Sequence, residues 1–351
     1  MTDGNRRGRQ VTLMDVAREA EVSRATASLV IRKSPLVGAK TRERVEAAIE
    51  RLGYVYNMGA ARMRAERSRT VGVIVPTLSN PFFAELLSGI EETIDAAGMV
   101  VLLANSGESV ERQAGVVRRM REHGVDGLIL TPSAGTAVEF LNHIAEWRMP
   151  LVQALRHLSP DADYAGTDYA AGMQQAVDYL ASLGHRRVVF LAGGPVHAAY
   201  RERVEGFRRA MLSHGFDPEN IIDLPFKLAE VAKAAPRIFE QGNPPTAAIC
   251  FNDVFALGLS AGLYDLGVSV GRDFSIVGFD DVTEAEAIRP RLTSVSTDPA
   301  LIGRNAARLL LERLDDPERP ARAIVSETVL NIRQSCGPAP AAVEVPATIN
   351  R

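Results

Sequence analysis

Long apolar runs are missing from this chain. No stretch approaches the about 20 residues a helix needs to span a bilayer, which excludes a helical membrane protein. Cysteine is nearly absent as well. Cys250 and Cys336 are too few and too far apart for a disulfide framework or a zinc site, and they read as one buried thiol and one tail thiol. The six histidines, His185 and His197 among them, are scattered without metal-ligand spacing, so no metal and no cofactor are expected. Met1 to Gln10 is polar and arginine-bearing and lacks the apolar core of a secretory signal, which places the chain in the cytoplasm.

What is present is a globular composition, 46% apolar and 24% charged over 351 residues. That length exceeds the roughly 250 to 300 residues at which one core stops growing, so at least two units are expected. The net charge of −3 hides an asymmetry. Residues 1–69 hold 15 Lys/Arg against 8 Asp/Glu, whereas the rest of the chain, from totals of 40 and 43, holds 25 against 35. A basic head on an acidic body is the footprint of a chain that meets a polyanion at one end.

The head reads as three short helices. Thr12 precedes Leu13, Val16, Ala17 and Ala20 on one helical face, and Asp15 completes a capping-box pattern. Ser23 caps a second helix with Ala27, Val30 and Ile31 inward, and Thr41 is expected to cap a third, with Val45, Ala48, Ile49 and Leu52 inward and Gly53 as its stop. Two short helices, a tight turn and a closing third helix make a helix-turn-helix, whose second helix enters the major groove. Arg24 suits a guanine edge, Ala25 and Leu29 can only pack on thymine methyls, and Thr26, Ser28 and Arg32 suit phosphates. A plain three-helix bundle would show the same inward faces.

The run Val11-Thr-Leu-Met-Asp-Val-Ala-Arg-Glu-Ala-Glu-Val-Ser-Arg-Ala-Thr-Ala-Ser, then Ser34-Pro-Leu-Val and Thr41-Arg-Glu-Arg-Val-Glu-Ala-Ala-Ile-Glu-Arg-Leu-Gly-Tyr, closely resembles the lactose-repressor (LacI/GalR) family, and the match continues to about residue 335. The resemblance implies a hinge helix that forms on operator DNA and wedges an apolar side chain into the minor groove, Met63 being the matching residue here. The expected DNA-contact set is therefore Thr12, Ser23, Arg24, Ala25, Thr26, Ser28, Leu29 and Arg32 in the head, with Asn57, Ala60 and Met63 in the hinge. Departures from the family are Glu21 for a turn glycine, Tyr56 for a proline, Leu29 for an arginine, and Gly59 inside the hinge helix, where it costs about 0.5 to 1 kcal/mol relative to alanine.

From Thr70 the pattern becomes strand runs alternating with amphipathic helices: Val71 to Val75, a helix carrying Phe83, Leu86, Leu87, Ile90 and Ile94, then strands near Val100, Gly127 and Leu151. A second set starts near residue 163, with strands near Val188, Ala247 and Phe274. The expected fold is an all-α helix-turn-helix domain plus an α/β, periplasmic-binding-protein-like domain of two doubly wound parallel-sheet lobes with a cleft between them. Ligands of open parallel sheets sit beyond the carboxyl ends of strands, which selects Asn80, Phe82, Phe83, Arg203, Asn252 and Asp280. Such groups suit a sugar-like ligand, and the resemblance assigns effector contact to Phe83, Arg203, Asn252 and Asp280, with Phe226 stacking. Arg203 and Asp280 could instead form an interlobe salt bridge. Leu155 stands where relatives often place an aspartate, and Lys227 where purine-sensing relatives carry an acidic residue; with Arg156 and Arg203 nearby, an acidic or phosphorylated sugar is the expected ligand.

The boundaries that follow are a basic flexible arm over 1–11, the helix-turn-helix over 12–56, hinge helix and linker over 57–69, the two-lobed effector-binding and dimerisation domain over 70–335, and a flexible tail over 336–351. The resemblance implies a homodimer on a near-palindromic operator, and a tail without leucine heptads gives no support for a tetramer. Gly258-Leu-Ser-Ala-Gly matches a hydrolase nucleophile motif but lies inside a helical pattern, so no enzyme is expected. Gly193-Gly-Pro is too short for a phosphate loop. A periplasmic solute-binding protein would share the body and lack the basic head. Replacing Arg24 with alanine should relax specificity at one base pair by about 1 to 3 kcal/mol, whereas Met63→Ala should weaken binding to every operator variant through lost bending; anisotropy titrations on an operator panel separate the two.

Overall fold

The computed structural model describes residues 11–31, 34–54, 67–194, 196–224, 227–240 and 243–341. Arg32, Asn57, Ala60, Met63 and Phe226, and with them most of the hinge, lie outside the described residues. The chain divides into two compact units, Met1–Ser68 and Arg69–Arg351.

In the first unit, α1 (Leu13–Glu19), α2 (Arg24–Ile31) and α3 (Ala39–Leu52) close over Val16, Ala17, Ala20, Ala27, Val30, Val45 and Ala48. The capping box at Thr12 is formed: its hydroxyl donates to Asp15 Oδ2 at 2.6 Å and Asp15 N–H points back to it. Ser23 Oγ accepts from Thr26 N–H at 3.0 Å, capping α2 as expected. Thr41 does not cap α3. The helix starts three residues earlier, behind Gly38, because Ala39 and Lys40 are good helix formers and the turn from Ser34 delivers the chain to Gly38 in extended conformation. Gly53 ends α3 in the left-handed conformation only glycine adopts freely, at φ +59°.

The second unit contains two six-stranded sheets. The first, in order β11-β5-β4-β3-β1-β2, comprises β1 (Thr70–Val75), β2 (Val100–Asn105), β3 (Gly127–Leu130), β4 (Leu151–Ala154), β5 (Asp163–Thr167) and β11 (Ala323–Ser326), and its ladders are all parallel. It is covered by α4 (Pro81–Ala96), α5 (Val110–Glu122), α6 (Glu139–Glu146) and α12 (Pro299–Asp315). The second sheet, β12-β10-β9-β8-β6-β7, comprises β6 (Val188–Gly193), β7 (Ile221–Leu224), β8 (Ala247–Cys250), β9 (Ser275–Asp280), β10 (Thr293–Ser296) and β12 (Val329–Asn331), with only β12 antiparallel. Its helices are α7 (Tyr169–Ser182), α8 (Ala198–Ser213), α9 (Leu228–Ala234), α10 (Asp253–Asp265) and the single turn α11 (Glu284–Ala287).

Two sequence expectations change here. The strand near residue 163 does not open the second lobe: β5 pairs with β4, Val152 opposite Asp163, and β11 returns to the same sheet much later. Alternation along the chain reveals the order of elements, not the sheet each strand joins. The tail also starts later than expected, since Gly337 N–H donates to Ser275 Oγ, Ala339 N–H donates to Leu183 O, and Cys336 Sγ sits 3.1 Å from Ile276 O. Cys336 is therefore packed on the second lobe rather than carried on a free tail. Gly258 and Gly262 lie inside α10, as the helical pattern around them requires.

The lobes exchange chain after β5, β10 and β11. Thr167 Oγ1 and Asp168 N–H both donate to Ser326 O, so two of the three crossovers are bonded to each other. Lobe 1 is closed by α12 against α4, an approach so close that a Cβ on Gly89 would collide with Ala300 O, and one on Gly303 with Leu86 O. At the far end of α12, the fully buried carboxylate of Asp163 on β5 accepts from Arg313 (2.9 and 3.1 Å), Arg319 (2.8 and 3.0 Å) and the backbone of Arg322 (2.8 Å). Replacing Asp163 with alanine leaves two guanidinium groups unpaired, so the urea midpoint should fall by the equivalent of about 3 to 5 kcal/mol at unchanged slope.

Candidate functional site

On the head, Ser23, Arg24 and Ala25 are exposed and Thr26, Ser28 and Leu29 half-buried, so the outward face of α2 is the one the sequence reading selected. Thr12 is engaged in its cap, and the hydroxyls of Ser23 and Thr26 bond each other at 2.9 Å. The turn between α1 and α2 passes through Glu21 at φ +52°, the conformation a glycine would adopt without strain. Arg44 of α3 holds that turn, donating to Ala20 O at 2.7 Å and Glu21 O at 3.1 Å.

In the second unit a cavity of about 300 Å³ opens where strand ends of the two sheets face each other. Asn80, Phe82, Phe83, Arg203, Asn252 and Asp280 all line it. Each is placed by a local device. Asn80 caps α4 by accepting from Phe82 N–H, which turns the two phenylalanines into the cleft edge to face, 5.4 Å apart. Asn252 caps α10 by accepting from Phe255 N–H at 3.0 Å, leaving its NH₂ as donor.

Arg203 is the centre of the site. Its guanidinium is packed among the rings of Tyr169, Phe279 and Phe251, at 4.1, 4.5 and 4.7 Å from their centroids, and its Nη2 donates to Asp280 Oδ1 at 3.2 Å. Its buried Nε–H has no hydrogen-bond partner among the described residues. Both members of this pair belong to lobe 2, so the salt bridge is not the interlobe one that the sequence left open. Polar links across the cleft include Asn80, from lobe 1, to the Asp280 carboxyl, and the Tyr169 hydroxyl of lobe 2, which donates to Leu155 O of lobe 1 at 3.3 Å.

Asp280 sits at φ +105° and Asp281 at +59°, two consecutive left-handed residues without glycine's freedom. The turn is pinned from beneath. The buried Asp253 carboxyl accepts from Val282 N–H at 2.8 Å and from Ser294 Oγ at 2.6 Å, while Asp281 N–H bonds Ser294 Oγ at 3.2 Å. Burial pushes the Asp280 carboxyl up to about 7, against the opposing pull of Arg203 and the hydrogen bond from Asn80.

Several lining residues escaped the sequence reading: Tyr169, His197, Phe251 and Glu108. The strand-end rule that selected Asn252 would have reached Phe251 beside it, Tyr169 beyond β5 and His197 beyond β6. His197 caps α8 with Nδ1 accepting from Tyr200 N–H at 3.1 Å, and burial with Arg156, Arg203 and Arg201 nearby pushes its imidazole down to about 2. The ring is neutral, and its proton is therefore on Nε2. Arg156 does line the cavity, but Glu108 holds it at 2.7 and 3.0 Å and Pro132 O takes a further N–H. Lys227 is exposed and is not among the lining residues. The cationic cleft expected from Arg156, Lys227 and Arg203 is thus absent: each lining arginine faces a carboxylate.

A helix-turn-helix head joined to a two-lobed body with a charge-balanced interlobe cavity defines the class, a DNA-binding regulator with a ligand-sensing domain. The model of bacterial regulatory proteins of the lacI family matches residues 12–57, and that of a periplasmic binding protein-like domain matches 177–336. An HTH-type transcriptional repressor PurR of Vibrio vulnificus is 32% identical over 329 residues, covering 92% of this chain and 98% of the relative. Its counterpart in Vibrio cholerae is 33% identical over 316 residues, covering 89% and 94%. The lac repressor dimer bound to operator and the anti-inducer ONPF has the same fold, with a TM-score of 0.84 at 25% identity over 94% of this chain and all of that one. A complex of the regulator CelR with cellobiose is 30% identical, with a TM-score of 0.71, over 93% of this chain and 99% of that one. A regulator from Enterococcus faecium with bound ribose is 29% identical, with a TM-score of 0.69, over 77% and 99%. This chain belongs to the LacI family of transcriptional regulators, which also disposes of a solute-binding protein without a DNA-binding head.

The Asp280 shift carries a sign. Its folded pKa of about 7 lies above the roughly 3.9 of an unfolded aspartate, so between these values the native state holds a proton that the unfolded state has released. Asp280 therefore contributes stability that is present at low pH and lost as pH rises toward 7. The stability difference between wild type and Asp280→Asn, from urea unfolding at pH 5 and pH 8, should shrink as pH rises.

Proposed function

We propose that this protein is a repressor whose affinity for a near-palindromic operator is set by a neutral, single-ring polar effector bound between the two lobes, and that it acts as a homodimer. The observation that carries the effector reading is the buried Arg203 Nε–H, a donor without a partner among the described residues, in a residue that lines the interlobe cavity. A group that is buried and unpaired costs about 1 to 3 kcal/mol, which a ligand acceptor removes. Above about pH 7, where the Asp280 carboxyl is ionised, neutrality follows from the pairing of Arg203 with Asp280, of Arg156 with Glu108, and from the neutral His197. A net charge brought into this site would find no counter-charge. The volume, about 300 Å³, stands at the lower limit of small-molecule sites, which favours one ring over a chain of them.

The residues lining the cavity combine the donors His197 Nε2–H and the Asn252 amide with the aromatic side chains of Phe82, Phe83, Phe251 and Tyr169. A monosaccharide fits that set, its oxygens taking the donors and its C–H face an aromatic ring, in keeping with the ribose bound by the Enterococcus faecium regulator. A flat heteroaromatic base is the second reading, favoured by the density of ring faces around Arg203. Operator contact is assigned to Arg24, Ala25 and Leu29 for bases, to Ser23, Thr26, Ser28 and Arg32 for phosphates, and to Met63 for the minor groove, two hinges being paired by the dimer. Ligand changes operator affinity through its differential affinity for two lobe arrangements.

Calorimetry of the full-length protein with neutral monosaccharides, the matching uronates and sugar phosphates, and free nucleobases tests the reading. A neutral sugar or base should bind, and Arg203→Ala should abolish that binding. Tight binding of a uronate or phosphate with none of a neutral ring overturns it.

A further inference from the structure

On the lobe 1 side the cavity is walled by an ion pair that two left-handed residues deliver. Arg156 follows Leu155, which stands at φ +64° while Arg156 N–H donates back to Ala154 O at 2.7 Å, a γ-turn of the rarer, strained hand. Glu108 is itself left-handed, at φ +60°. Their contact is bidentate, Nη2 to Oε1 at 2.7 Å and Nη1 to Oε2 at 3.0 Å, with side chains 11% and 27% exposed. Arg156 Nη1 also donates to Pro132 O at 3.0 Å, and Glu108 Oε2 accepts from Ala134 N–H at 3.2 Å. One pair thus ties together the loops that follow β2, β3 and β4, all at the carboxyl end of the lobe 1 sheet.

We propose that Glu108 sets the charge selectivity of the effector site: by matching Arg156 it reserves that arginine for an uncharged oxygen of the ligand and turns away carboxylates and phosphates. Resting on the reading of the interlobe cavity as the effector site, this assignment names the residue that enforces neutrality and the ligand group that meets the lobe 1 wall. Arg156 lines the cavity, and its charge is felt by Tyr169 and His197 of lobe 2, which line it as well. Among the described residues, its Nε–H and the second Nη2–H take no protein acceptor. Both can donate to a hydroxyl or carbonyl oxygen.

While the Glu108 carboxylate is in place, an anion brought to Arg156 meets a negative charge already bonded to the same guanidinium and must displace it. Displacement also strips Glu108 of the Ala134 N–H and leaves its charge unmatched, which is costly at a mostly buried position. A neutral oxygen makes no such demand. Without the carboxylate, Arg156 becomes a mostly buried cation lacking a counter-charge, and an anion from solution supplies one. Arg203 does not share this fate, because Asp280, with its carboxyl pushed up to about 7, is ionised and paired with it at pH 8. At that pH the loss of Glu108 unmasks Arg156 and leaves Arg203 matched.

Inorganic phosphate is the probe, because its binding asks only whether the cavity holds an unmatched positive charge. In calorimetry of the full-length protein at pH 8, Glu108→Gln, which keeps an acceptor for Ala134 N–H, and Glu108→Ser should bind phosphate about ten- to hundredfold more tightly than wild type. Glu108→Asp, which keeps the charge, should stay close to wild type, and adding Arg156→Gln to Glu108→Gln should erase the gain. Anion sites elsewhere on the chain are common to all variants and cancel in the comparison. No gain in either neutral variant overturns the proposal, as does a gain that survives the loss of Arg156 or that Glu108→Asp shares. The effector reading fails by a separate route, when wild type binds no neutral ring, and a phosphate gain in Glu108→Gln would still establish the charge filter.

Discussion

The buried guanidinium of Arg203 is the constraint around which the sensing domain is arranged. A permanent charge at 5% exposure is tolerable only with a counter-charge and a polarisable surround, and here Asp280 supplies the first and three aromatic rings the second. Meeting that demand sets much else. Asp280 reaches Arg203 from a strained left-handed turn, the turn is held by Asp253 and Ser294 below it, and Gly278 is bare because a Cβ there would collide with Asp253. Because Asn80 of the other lobe completes the Asp280 environment, the electrostatics of one buried arginine are also what joins the lobes at the cleft.

The crossovers explain how such a site can respond to a ligand. The chain leaves lobe 1 at the ends of β5 and β11, which lie side by side, and Ser326 O binds both Thr167 and Asp168, so the lobes are joined by a bonded bundle rather than by a single loop. Each lobe has its own buried core, with Phe190, Phe207, Phe255, Phe274 and Phe279 in one and Ile74, Leu86, Ile90 and Ile94 in the other. Close-packed cores move as rigid bodies. Across the cleft run the polar contacts Asn80 to Asp280, Tyr169 to Leu155, Glu85 to Thr283 and His157 to Glu202, together with Val282 of lobe 2 packed into the lobe 1 core.

Legibility in the sequence tracked the range of the interaction. The capping box of Thr12 and Asp15, the inward faces of α1 to α3, the stop at Gly53 and the caps at Asn80 and Asn252 all depend on neighbours a few residues away, and all could be read. The start of α3 at Ala39 was misread because Thr41 is an equally good cap in isolation. Glu21 read only as a departure from the family's turn glycine; the hold that Arg44, more than twenty residues later, keeps on that turn is a tertiary contact. The charge of the cleft failed for the same reason. Arg156 and Glu108 lie 48 positions apart, and nothing in their local patterns marks them as a pair.

By itself, the sequence determined the division into a basic helical head and an alternating α/β body, because helical and strand periodicities and charge density are local and additive. It also determined that Asn252 and Asp280 lie at strand ends, since the chain must turn there. Only the tertiary structure decided that β5 and β11 belong to the first sheet, that Arg203 and Asp280 pair within one lobe, and that each lining arginine is neutralised. Those outcomes depend on hydrogen-bond ladders and Coulomb interactions between residues far apart along the chain, whose energies exist only once folding has brought them within a few ångströms.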